Sequence, residues 1–151
     1  MIIETTGDLL QSDCDIRCHQ VNCKGIMGAG LAKQVSIKYA EVLPEYLRLC
    51  NKFGKDMLGD VLYFQCHDGH TLANLFAQNG FGRDRCYTQY DAVEKCIANV
   101  FTRASQYDLT VAFPFKMGCD RGGGDWSVIF GIIKKYFERY DNICEIVRID
   151  P

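Results

Sequence analysis

A chain of 151 residues, 48% of them hydrophobic, is long enough to bury one core and too apolar to stay disordered. A formal charge of −2 argues against a general nucleic-acid binder held by neutralised phosphates, yet leaves room for one anion bound by backbone amides. Nine cysteines, an odd count without a C-x-x-C pair, and an opening "MIIETTGDLL" with no basic leader point to a reducing cytoplasm, with the cysteines as small core residues. No run approaches the roughly 20 apolar residues of a membrane helix.

In chain order, Ile2 to Thr5 is a short strand, broken by Thr6-Gly7-Asp8-Leu9. Ile16 to Val21 is a second strand. From Gly30, Leu31, Ala32, Val35 and Tyr39 recur at helical spacing, and Pro44 opens another helix carrying Tyr46, Leu47 and Cys50 on one side. Val61 to Gln65 and Thr71 to Phe76 are strands around His67-Asp68-Gly69-His70, whose Asp-Gly centre reads as a hairpin turn rather than a metal site. Tyr90 to Ala104 is a helix with Val93, Ile97, Val100 and Phe101 inward. Leu109 to Phe113 is a strand stopped by Pro114, Trp126 to Tyr140 a helix with a broad apolar face, and Cys144 to Ile149 a closing strand. Strands alternating with helices give an α/β domain, 1–151, with a mixed sheet between helical layers.

Two glycine-rich segments each follow a strand and precede a helix. The first, "HQVNCKGIMGAGLAKQV", crowds Gly25, Gly28, Ala29 and Gly30 together; the second is Phe115 to Trp126, with Gly118 and Gly122-Gly123-Gly124. Glycine admits close backbone approach, and free amides at a helix start favour phosphate, so the pair predicts a diphosphate gripped from two sides. The competing reading is two tight strand-to-helix connections. Neither segment is a P-loop, since Leu31-Ala32 stand where Lys-Ser/Thr is required, and Lys33 breaks the dinucleotide-binding fingerprint.

Thr6-Gly7-Asp8-Leu9, His19-Gln20-Val21-Asn22-Cys23-Lys24-Gly25, Met27-Gly28-Ala29-Gly30-Leu31-Ala32 and Gly118…Gly122-Gly123-Gly124-Asp125-Trp126 together resemble the macrodomain family, in order and spacing, over nearly the whole chain. The resemblance is nearest to the group holding the terminal ADP-ribose protein glycohydrolase and the yeast-type ADP-ribose 1″-phosphate phosphatase. Ala77 to Asp84 and Tyr87 to Asp91 are similar to bacterial and phage members.

The resemblance implies a three-layer α/β/α fold with ADP-ribose lying between the glycine loops. Asp8 then accepts from the adenine amino group, with Leu9 beside the ring, or is only a turn or cap residue. Asn22 faces the distal ribose, or serves as a left-handed turn residue. Met27, Gly28, Ala29 and Gly30 line the diphosphate; Gly118, Cys119, Gly122, Gly123 and Gly124 close over it. Phe81 covers the adenine or distal ribose, or lies on the surface. Arg83 and Arg85 hold phosphate or are solvated, and Trp126 belongs to the core.

For chemistry, the resemblance points to hydrolysis of ADP-ribosyl conjugates or of ADP-ribose 1″-phosphate, with His19 and Asp125 as catalytic candidates; the alternative is a non-catalytic reader. The plain roles are a buried histidine satisfied by a backbone carbonyl and a helix cap. The glycohydrolase relies on a lysine after the strand matching Leu72 to Phe76 and on an aspartate in its last glycine loop. This chain has Ala77-Gln78-Asn79, and Gly122 stands near the aspartate's place. A lysine-dependent covalent mechanism is therefore not expected. The implied partners are ADP-ribose, or protein or nucleic acid carrying it, bound by a monomer without cofactor, metal or membrane.

Overall fold

The computed structural model describes residues 1–149, so the last two residues of the expected domain lie outside it. The elements in order are β1 (Ile2–Thr6), β2 (Ile16–Asn22), α1 (Gly30–Lys38), α2 (Leu43–Phe53), β3 (Val61–Gln65), β4 (Thr71–Gln78), α3 (Tyr90–Tyr107), β5 (Val111–Pro114), α4 (Trp126–Phe137) and β6 (Cys144–Arg148). Short 3-10 turns occupy Leu9–Gln11, Ala40–Val42 and Gly54–Met57. The sheet runs β1-β6-β5-β2-β4-β3, parallel except for the β3–β4 hairpin.

Both faces of the sheet are covered. Ile16, Cys18 and Leu75 pack with Val93, Ile97, Val100, Ile129, Ile133 and Phe137 under α3 and α4. On the other side Val21, Leu72 and Phe76 pack with Val35, Tyr46 and Cys50 of α1 and α2. The two-residue period of β4 sends Leu72 and Phe76 one way and Ala73 and Leu75 the other. After β2 the chain turns to the α1 face and after β5 to the α4 face, although β2 and β5 are neighbours. That divergence opens a crevice at the carboxyl ends of the central strands.

Several boundaries differ from the sequence reading for local reasons. Leu109 is not in β5, because its amide donates to the Ala104 carbonyl while Asp108 takes φ 53° to close α3. Helix α4 ends at Phe137, and the Tyr140 hydroxyl instead donates to the Leu109 carbonyl at 2.6 Å. The Asp68-Gly69 turn forms as expected, with Gly69 at φ 89°. Its histidines diverge: His67 Nδ1 lies 2.8 Å from Glu41, and His70 Nδ1 lies 2.7 Å from the Cys14 carbonyl. Among the described residues, no helix is long and apolar enough to cross a membrane.

Candidate functional site

The crevice is a cavity of about 730 Å³. Asp8 and Leu9 line it after β1, Asn22 at the end of β2 and Gly28 to Gly30 after it, and Gly118, Cys119 and Gly122 after β5, with the exposed Phe81 also on its wall. The expected ligand-binding residues therefore converge, apart from Met27, Gly123 and Gly124, which are not part of its wall.

The first loop is held open from below. Asn22 Oδ1 accepts from the Lys24 amide at 2.9 Å, and its Nδ2 donates to the Ile26 carbonyl at 2.8 Å. The Tyr46 hydroxyl donates to the Asn22 carbonyl at 2.7 Å. Among the described non-glycine residues only Asp108 and Lys116 have positive φ, so Asn22 is not a left-handed turn residue. It ties the loop together from a cavity-lining position. Met27 is buried in the α1–α2 core. A Cβ on Gly28 would meet only Ile26 Cγ2, at 3.4 Å, which leaves the cavity side open. Helix α1 begins at Gly30, and Ala29 before it supplies no side-chain cap. Its first amides are suited to accept an anion.

The second loop is tight for a different reason. A Cβ on Gly118, at φ 77°, would fall 2.5 Å from Gln20 Oε1. On Gly123, at φ 66°, it would fall 2.6 Å from the Arg85 carbonyl, and on Gly124 2.9 Å from the Gly118 carbonyl. What comes close to these glycines is protein: Gln20 of β2 at Gly118, the loop's own backbone at Gly124, and at Gly123 the segment between β4 and α3, whose Tyr87 and Thr88 amides both donate to the Gly122 carbonyl at 2.7 and 2.8 Å. The run of glycines joins two loops, and only Gly118 and Gly122 of the four reach the cavity wall.

Asp125 and His19 are placed in structural surroundings. Asp125 is exposed and absent from the cavity wall. Its Oδ1 accepts from the Ser127 hydroxyl at 2.8 Å and from the Ser127 amide at 2.9 Å, capping α4, and these two bonds, the hydroxyl's above all, lower its pKa. Trp126 stacks on Phe130 and meets Phe115 edge-on, in the hydrophobic layer as expected. His19 borders the cavity but is 1% exposed. Its Nε2 lies 2.5 Å from Asn74 Oδ1, and its Nδ1 is buried without a partner among the described residues. Burial pushes the imidazole down to about 4, so it is neutral at pH 7. The satisfying partner is a side-chain amide rather than a backbone carbonyl.

Asp8 is both a cap and a cavity residue: Oδ1 accepts from the Leu10 amide at 2.9 Å while the side chain borders the cavity. Gln78, in the Ala77-Gln78-Asn79 stretch singled out above, lines the cavity and is hydrogen-bonded at both side-chain polar atoms. Its Oε1 accepts from Gln20 Nε2 at 2.8 Å, and its Nε2 donates to the Gly80 carbonyl at 2.9 Å. Gln20 also donates to Thr88 Oγ1, which donates to the Gly118 carbonyl at 2.8 Å. This glutamine–threonine network and the cavity-lining Asp120 and Arg121 were not foreseen. The available signal was Gln20 and Gln78, polar residues near the carboxyl ends of the largely buried strands β2 and β4.

No family model matches the chain. The ADP-ribose 1″-phosphate phosphatase of Saccharomyces cerevisiae is 30% identical over 68 residues, 44% of this chain and 38% of that protein. The DNA ADP-ribosyl glycohydrolase of Mycobacterium tuberculosis is 38% identical over 52 residues, 34% of this chain and 15% of that protein. The matches thus span well under half the length of these curated relatives. Among solved structures, the macrodomain of Mycobacterium tuberculosis DarG superposes with a TM-score of 0.83 at 22% identity, covering 100% of this chain and 99% of that one. Thermosipho africanus DarTG in complex with ADP-ribose superposes with 0.77 at 18% identity, over 96% of this chain and 41% of that one. The chain has the three-layer α/β/α macrodomain fold.

Proposed function

We propose that this chain binds ADP-ribose in the crevice and hydrolyses ADP-ribosyl conjugates or ADP-ribose 1″-phosphate there. The observation that carries the binding reading is the contrast between the loops: the first presents uncapped α1 amides and an open Gly28 to the cavity. The diphosphate lies on Gly28 to Gly30, the adenine beside Asp8 and Leu9, and the distal ribose toward Asn22 and Phe81. The phosphatase and glycohydrolase activities named for the relatives both act at the distal ribose, which supports turnover at that end. Water is the nucleophile in this reading, because Gln78 has no nucleophilic atom. The conjugate is carried by protein or nucleic acid, the chain acts as a monomer, and nine unpaired cysteines favour a reducing cytoplasm.

A specific observation favours a second reading, that of a reader without turnover: His19 Nδ1 is sealed from solvent and Asp125 lies outside the cavity wall. The test pairs calorimetry on ADP-ribose with single-turnover assays on ADP-ribosylated protein, ADP-ribosylated DNA and the 1″-phosphate. Binding with product release, and no lysine–ribose adduct trapped by borohydride, is the expected result. Binding without release on any substrate leaves the reader; no binding removes both readings.

A further inference from the structure

We propose that Arg83 is a ligand-phosphate residue held in reserve by Asp120, so that an incoming diphosphate takes the place of the Asp120 carboxylate. This rests on the ADP-ribose reading above. Asp120 belongs to the second glycine loop and lines the cavity. Its Oδ2 lies 3.9 Å from where a Cβ on Gly30 would stand, over the start of α1. Its Oδ1 accepts from Arg83, with Nη2 at 3.1 Å and Nε at 3.2 Å. One carboxylate of the second loop is thus paired with the segment between β4 and α3 and stands beside Gly30 at the start of α1.

The guanidinium is delivered there by backbone pairing. The Gly82 amide donates to the Arg121 carbonyl at 2.9 Å, next to Asp120, and this fixes Arg83 beside the second loop. Arg85 is differently placed: it pairs with Asp84 of its own segment at 3.3 Å and lies over the Tyr87 ring. Asp120 occupies the position of an anion between a cation and a helix start, the surroundings a phosphate would take. Carboxylate and diphosphate cannot share that space without like-charge repulsion. The exchange is easy, because the Arg83 and Asp120 side chains are 67% and 61% exposed and an exposed ion pair is weak. Arginine binds phosphate oxygens through two parallel N–H donors, so the ligand is the better partner.

The exchange predicts effects of opposite sign. Asp120→Asn removes the competing charge and should tighten ADP-ribose binding by about 5-fold, while Arg83→Gln should weaken it by a similar factor. Adenosine, which lacks the diphosphate, should bind parent and both variants alike. Calorimetry with both probes reads this, and melting curves check that the variants are folded. ADP-ribose affinities equal to the parent's, or shifts of the same sign in the two variants, overturn the exchange while the parent's own binding keeps the ADP-ribose reading standing. Adenosine affinities that move with the substitutions overturn it as well, since the effect would not be on phosphate. A parent that binds no ADP-ribose overturns both readings together.

Discussion

His19 Nε2 lies 2.5 Å from Asn74 Oδ1, and the Asn74 amide is oriented by donating its own Nδ2 hydrogen to the Leu62 carbonyl at 3.0 Å. The pair fixes the imidazole tautomer, with the proton on Nε2. Burial lowers His19 from 6.5 to about 4, so between those values the unfolded chain binds a proton that the folded chain does not. Stability from this residue is fully present above pH 6.5 and is lost as pH falls through about 4. The lowering corresponds to roughly 3 kcal/mol. Urea unfolding of the parent at pH 7 and pH 4.5 should show most of that loss, and His19→Gln should show a smaller pH difference. A variant with the parent's pH slope would assign the acid lability to other groups.

Asp125→Ala removes the cap of α4 and should lower stability by about 1 kcal/mol. Because Asp125 does not border the cavity, ADP-ribose affinity should be unchanged. Urea titration together with calorimetry checks both halves. A folded variant that has lost ligand affinity would bring Asp125 back to the site.

The two glycine loops should respond differently to the same substitution. Gly28→Val leaves a folded protein, since a Cβ there meets little, and should abolish ADP-ribose binding by filling the cradle. Gly123→Val drives a Cβ toward the Arg85 carbonyl at positive φ and should lower the melting temperature before any effect on ligand is considered. Melting curves with and without ADP-ribose separate the outcomes. Parental affinity in Gly28→Val would sink the cradle.

Asp8 can be divided into its two roles. Asp8→Ala loses both the cap on the Leu10 amide and the adenine acceptor, so stability should fall by about 1 kcal/mol and affinity by roughly 10- to 150-fold. Asp8→Asn keeps an N-cap oxygen but loses the charge, so only affinity should drop. Equal affinity in parent and both variants would leave Asp8 as a cap alone.

The layers of the fold were readable because burial on both sheet faces imposes periods of two and 3.6 on β4, α3 and α4, and these survive in sequence. The first loop was readable for a similar local reason: Gly28 to Gly30 lead directly into α1. Gly123 and Gly124 differ from the expectation because a glycine spacing does not say whether ligand or protein will approach: Gly123 is met by Arg85 and Cys86, over 30 positions away, and Gly124 by the Gly118 carbonyl, Ile129 and Thr88. His19 was ambiguous for the same reason. Strand alternation gives its face, but the atom that satisfies it belongs to Asn74, 55 positions along the chain. Asp125 was legible as a cap because its partner, Ser127, is two residues away.

The thiols divide by reach. Seven are buried, where alkylating reagents have no access, while Cys86 is exposed and Cys119 forms part of the cavity wall. The unmutated chain therefore carries two addressable labelling positions. A maleimide dye would meet Cys119 only when the crevice is empty, whereas Cys86 would react whether or not it is filled. The ratio of the two labelled peptides, read by mass spectrometry, becomes a footprint of occupancy that needs no engineered probe and no assumption about turnover.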